Sequence, residues 1–135
     1  MKVIVDTSVW SLAFRRKTVV KTAEVVDLIR LVEEGLVVLL GPVRQEVLSG
    51  IKHREQFERL RERLAAFPDL ELTTRDFETA AELCNLCIAK GVQASHTDFL
   101  IAAAAITRGY AVLSADQDFK HIARIVPVRT YGQQR

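Results

Sequence analysis

Three short runs of apolar residues most constrain what this chain can fold into. They occupy residues 2–5, 36–40 and 111–114. Continuous apolar runs of this length are typical of strands that are buried on both faces, as in a parallel sheet covered by helices. The runs therefore predict the centre of a sheet, to which two weaker strand segments, 70–72 and 126–130, would add its edges.

Helical patterns separate the predicted strands. The pattern at residues 19–34 spaces its apolar residues three or four apart and closes with Gly35, a residue type that commonly follows the end of a helix. Strands that alternate with helices predict an α/β fold, a three-layer α/β/α sandwich with a mainly parallel five-stranded sheet. The other helical patterns cover residues 42–49, 52–67, 74–90, 97–108 and 116–124.

Size and composition limit the class of protein. A chain of 135 residues is expected to form one domain, residues 1–135, that supports its own core. Two cysteines are too few for a disulfide framework and no signal-peptide pattern opens the chain, so a cytoplasmic protein is predicted. The longest apolar run, 99–106, is far shorter than the about 20 residues of a membrane span. The formal net charge of +2 means that nucleic acid would need a local binding site.

Acidic residues recur at the junctions between predicted strands and helices. In a parallel α/β sheet every strand ends, and every following helix begins, at one edge, where ligands bind. The topology therefore predicts a carboxylate cluster at that edge. The acids at these junctions are Asp6, Glu46, Asp98, Asp116 and Asp118.

Each of these acids also has an ordinary structural explanation. Aspartate is a favoured helix cap, and both Ser95 to Asp98 and Thr73 to Asp76 match the capping-box pattern. A single acid is therefore expected to be a cap more often than a ligand. Several acids at one edge are different, because they repel one another unless a cation neutralises them.

The donor type indicates which cation would serve. Carboxylates alone favour Mg²⁺ or Mn²⁺, because zinc prefers Cys and His, and a calcium loop places its acids within about a dozen residues. Cys84 and Cys87 have zinc-like spacing but no second pair, and two buried thiols explain them better. A magnesium ion held by carboxylates keeps positions for water and phosphate oxygens, which is the arrangement that hydrolyses phosphodiesters. A nuclease is the leading hypothesis.

Four sequence strings, in this order and spacing, resemble a known family. They are VDTSVW at 5–10, EVLSG at 46–50, TDFLIAAAA at 97–105 and SADQDF at 114–119. Over its whole length the chain resembles the PIN-domain ribonucleases of the VapC toxin type. The resemblance implies an endoribonuclease that needs Mg²⁺ or Mn²⁺, is inhibited by a VapB-type antitoxin and is commonly a homodimer.

The resemblance also implies roles for the acids. Asp6 and Asp98 would be the principal metal ligands, and Asp116 would be a third. Glu46 completes the acidic quartet of the family. The last position is ambiguous, because the string SADQDF also offers Asp118, which is the second choice.

Hydroxyl and basic residues complete the predicted site. Thr7 or Ser8 matches the hydroxyl that the family carries beside its first aspartate, and Ser114 stands where Thr is commoner. These hydroxyls are predicted to contact the substrate. Arg15 and Arg16 follow the first helix and could hold the RNA backbone, while a solvated turn explains them equally well.

Two other functional classes stay open. One is a phosphohydrolase of another α/β type, but a haloacid dehalogenase-like phosphatase needs a second Asp two residues after the first, where this chain has Ser8. The other is a non-catalytic PIN-like RNA-binding module, which usually loses one or more of the acids. All of them are present here, so catalysis is favoured.

Overall fold

A parallel sheet forms the centre of the computed structural model, which describes residues 1–15 and 21–132. Neighbouring strands pair in the order β2-β1-β3-β4, and every pair is parallel. The predicted α/β sandwich is confirmed, and the carboxyl ends of all the strands meet at one edge. The strands are β1 (Val3–Val5), β2 (Val37–Val38), β3 (Ala111–Leu113) and β4 (Arg129–Thr130).

The sheet has four strands in the described residues, where the sequence predicted five. Residues 70–72 do not form a strand there. That part of the chain makes one isolated parallel bridge, between Leu39 and Asp69, and the Leu70 N–H donates to the Leu39 carbonyl at 2.9 Å. Thr73 is already the N-cap of the next helix, so only three residues separate this bridge from the helix cap.

Helices alternate with the strands, as the apolar spacing predicts. Gly35 closes α2 with φ of 71°, the left-handed conformation that glycine adopts most easily. The predicted start of this helix at residue 19 lies outside the described residues. Of the helices described, none is long and apolar enough to cross a membrane. The helices are α1 (Thr7–Phe14), α2 (Ala23–Glu34), α3 (Gly41–Leu48), α4 (Arg54–Leu64), α5 (Thr74–Ala89), α6 (His96–Arg108) and α7 (Asp118–Ala123).

The core fixes where α6 begins. All residues of β1 and β3 are buried, and so are residues 99–105 of α6, which packs against both strands. A helix that is buried over two turns has little freedom to shift. Its first turn, which carries Asp98, is therefore held near the edge where β1 and β3 end.

Candidate active site

Asp6 lies where β1 ends and caps α1. It has extended backbone angles, and its Oδ1 accepts a hydrogen bond from the Thr7 N–H at 2.8 Å. Its own N–H donates to the Leu113 carbonyl of β3 at 2.9 Å. Only 5% of the residue is exposed. The sheet and the helix start together hold this carboxylate at the strand edge.

Two serine hydroxyls fix the other oxygen of this carboxylate. Ser8 Oγ and Ser114 Oγ each donate to Asp6 Oδ2 at 2.8 Å. Ser8 Oγ also accepts from the Ala115 N–H at 3.0 Å, so it joins the start of α1 to the turn after β3. The sequence predicted both hydroxyls for the substrate, and in this structure their described contacts are with Asp6 and the neighbouring backbone. Sequence spacing gave no signal for this pairing, because the two serines are distant in the chain.

Asp98 sits in the first turn of α6 and forms a capping box with Ser95. The Ser95 N–H donates to Asp98 Oδ2 at 3.1 Å, and the Asp98 N–H donates to Ser95 Oγ at 3.1 Å. Burial raises the pKa of Asp98 to about 6, with a smaller contribution from the negative charges of Asp6 and Asp118, and the hydrogen bonds from Ser95 partly oppose this rise. The structure thus brings Asp6, Asp98 and Asp118 within electrostatic reach of one another.

The two acids after β3 have different surroundings. Asp116 is exposed, and its Oδ1 accepts a hydrogen bond from the Asp118 N–H at 3.1 Å. Asp118 is half-buried and is the first residue of α7. Of the two acids in this turn, Asp118 is the one whose charge raises the pKa of Asp98.

Glu46 and Arg15 are less closely tied to the carboxylates. Glu46 is exposed on α3, and in the described part of the chain no hydrogen bond or ion pair joins it to the other acids. Arg15 is the C-cap of α1, and a rise of about 1.5 Å per residue puts it about 13 Å along the helix from Asp6. Arg16 lies outside the described residues.

The donor set suits a hard divalent cation. Three carboxylates share this edge, and Thr7 Oγ1 is buried without a hydrogen-bond partner among residues 1–15 and 21–132. These are all oxygen donors, the kind that Mg²⁺ and Mn²⁺ prefer. The residues therefore fit such an ion by charge and donor type. Their positions do not yet form a metal site, because within those same residues no group of three or more His, Cys, Asp or Glu side chains has metal-binding geometry.

Comparisons with known proteins identify the family of the chain. The family model described as "PIN domain" matches residues 3–125. Ribonuclease VapC11 of Mycobacterium tuberculosis and VapC ribonuclease Mb1587 of Mycobacterium bovis are each 31% identical over 125 residues, which cover 91% of this chain and 92% of the relative.

Solved structures show the same fold at lower identity. FitAcB from Neisseria gonorrhoeae has a TM-score of 0.75 at 19% identity, with 96% of each chain covered. VapBC2 from Rickettsia felis, bound to a DNA fragment from its promoter, has a TM-score of 0.73 at 18% identity and covers 96% of this chain and 97% of its own.

Proposed function

Because the chain belongs to the PIN-domain family and is related to its VapC ribonucleases, we propose that it is a metal-dependent endoribonuclease that acts as a toxin. One observation of the structure supports this most directly. The carboxylates of Asp6, Asp98 and Asp118 interact at one sheet edge, and no ion pair with a Lys or Arg of the described residues neutralises them. Negative charge of this kind suits a bound cation better than a structural role.

We propose Mg²⁺ or Mn²⁺ as the cofactor, held by Asp6 and Asp98 and by an acid of the turn after β3. When bound, such an ion lowers the pKa of a coordinated water and polarises a phosphate oxygen. Asp6 is oriented for this by Ser8 and Ser114, and Asp98 is oriented by Ser95.

The remaining acids would orient or deprotonate the attacking water. Asp118 lies near Asp98, and Glu46 faces solvent on the helix that follows β2. Either carboxylate could accept a proton from that water or orient it toward the phosphate, which is the work of a general base. Asp116, which is exposed at the same turn, is the alternative to Asp118.

The partners follow from the family. The solved structures with this fold include complexes named VapBC, so we propose a VapB-type antitoxin as the inhibitor. We also propose that the chain is a single PIN domain, a homodimer and a cytoplasmic protein, with RNA as its substrate. Arg15 and Arg16 would contact backbone phosphates of the RNA other than the one that is cleaved.

Cleavage of a single-stranded RNA tests the proposal. The wild-type protein should cut it with Mg²⁺ or Mn²⁺, and a chelator should abolish the reaction. Asp98→Asn removes one ligand charge and keeps the shape, so it should lower the rate at least about a hundredfold. Activity that survives both the substitution and the chelator would refute the metal-carboxylate mechanism.

A further inference from the structure

A basic groove opens between the end of α1 and helix α4. Its volume is about 870 Å³. Phe14 and Leu60 supply apolar surface, and Arg59 and Arg63 supply positive charge. Glu55 is the acid among the residues that line it. The groove is separate from the carboxylate site and has the opposite charge.

Three arginines line this groove, Arg54, Arg59 and Arg63, and two of them make no ion pair within the described chain. The ion pairs of α4 join Glu58 to Arg54 and to Arg61. Across residues 1–15 and 21–132, neither Arg59 nor Arg63 has a carboxylate within ion-pair distance. The ion pairs of this helix within the described chain therefore leave two of its arginines unpaired.

Arg63 is held in a conformation that suits an anion. Its guanidinium carbon lies 4.2 Å from the centroid of the Phe14 ring. Stacking of this kind occupies the flat face of the guanidinium and leaves its N–H donors at the edge, where they can bind a phosphate with two hydrogen bonds. Arg59 is one helical turn away on the same side of α4, so two phosphate-binding groups line one wall.

Helix α1 connects this groove to the carboxylates. Asp6 caps its start, and Phe14 and Arg15 stand at its end. Gln56 Nε2 donates to the Arg15 carbonyl at 3.1 Å, which ties α4 to that end. The helix length places the groove about 13 Å along the axis from Asp6, a span that a few nucleotides of extended RNA can cover.

We infer that this groove binds the backbone of single-stranded RNA beyond the cleaved phosphate, with Arg59 and Arg63 as the phosphate contacts. The inference rests on the proposed function, which requires a polyanionic substrate although the net charge of the chain is only +2. A local pair of arginines provides the attraction that the overall charge does not.

Binding measured without cleavage tests this inference separately from catalysis. In the Asp98→Asn protein, fluorescence anisotropy with a labelled single-stranded RNA should give a Kd that rises about tenfold when Arg59→Gln and Arg63→Gln are combined. The slope of log affinity against log salt should fall by about 1.4, because each lost contact with a single strand removes about 0.7. Arg61→Gln is the matched control, since Arg61 is on the same helix and pairs with Glu58.

The outcomes separate the two proposals. Unchanged affinity and salt slope in the double variant, with normal cleavage by the wild type, would overturn the groove and leave the proposed function standing. Absence of cleavage by the wild type would refute the function, while the binding series would still report on the groove. A double variant that loses affinity for an acidic peptide but keeps it for RNA also overturns the inference. If the double variant unfolds, Arg59→Gln alone should still raise the Kd, because Arg59 makes no ion pair within the described chain that the fold would lose.

Discussion

Two aspartates occupy the same position of two neighbouring helices, and they have opposite electrostatic surroundings. Asp76 in α5 and Asp98 in α6 each stand third in the helix and close a capping box. The helices pack against each other, and the end of α6 reaches the start of α5. The local motif is therefore shared, and any difference between the acids comes from the tertiary structure.

The carboxylate of Asp76 is paired with a basic side chain of the same protein, Arg108. Arg108 donates to both carboxylate oxygens, at 2.8 and 2.9 Å, and the Thr73 N–H donates at 2.8 Å. The hydrogen bonds from Arg108 hold the pKa of Asp76 well below its usual range although the residue is only 2% exposed. The ion pair of Asp76 with Arg108 therefore has a structural role, because it links α5 to α6.

Asp98 has no such partner among the described residues. Its hydrogen bonds come from Ser95, and its charged neighbours are the acids Asp6 and Asp118. Burial and these charges raise its pKa to about 6. The comparison teaches that a capping box alone does not distinguish a structural acid from a functional one. The distinction lies in whether the fold supplies the positive charge or leaves it to a ligand.

Removal of the Asp76 charge should have the largest effect of the changes considered, and it tests the structural role of this acid. Asp76→Asn leaves Arg108 without its carboxylate and should lower the free energy of unfolding by about 3 kcal/mol near neutral pH. Urea denaturation measures this loss. Asp69→Asn is the control, because its pair with Arg44 is half exposed and should contribute about 1 kcal/mol or less. Equal losses in the two variants would contradict the assignment.

The pH dependence of that loss follows from the direction of the pKa shift. The pKa of Asp76 is lower in the folded protein than in the unfolded chain, where it is about 3.9. The stabilisation is therefore fully present above the unfolded pKa and disappears as the pH falls through the folded pKa. The difference between wild type and Asp76→Asn should stay constant from neutral pH to about 4 and shrink only below it. A difference that vanishes near pH 6 would mean that another group is responsible.

The sequence predicted the sheet edge correctly because the fold class alone determines it. Strands that alternate with helices bring their carboxyl ends together, so Asp6 and Asp98 could be placed near each other without coordinates. Both capping boxes were also predicted from residue spacing. The pairing of Asp76 with Arg108 was not, because no local pattern links residues on two different helices. The same limit applies to Ser8 and Ser114, whose shared contact with Asp6 depends on the packing of β1 beside β3.

A comparison of the two acids that follow β3 tests which of them acts together with Asp98. Asp118→Asn should lower RNA cleavage about a hundredfold, because Asp118 interacts electrostatically with Asp98. Asp116→Asn should lower it less than about fivefold, since Asp116 is exposed and accepts a hydrogen bond from the Asp118 backbone. Initial rates at saturating Mg²⁺ measure both. The reverse order would assign the role to Asp116, the first choice from the sequence.

The smallest expected effect tests whether Asp98 is maintained at a cost to stability. Without divalent cations, Asp98→Asn should raise the free energy of unfolding by about 1 kcal/mol near pH 8, because it removes a charge that burial and two acids disfavour. The folded pKa of about 6 lies above the unfolded value, so the gain should be absent below about pH 4 and grow as the pH rises to 6. Added Mg²⁺ should then raise the Tm of the wild type and leave the Tm of the variant nearly unchanged, since an ion that binds only the folded state shifts unfolding by mass action. A destabilised Asp98→Asn protein would instead make Asp98 a structural cap like Asp76, and the contrast between the two helices would fail.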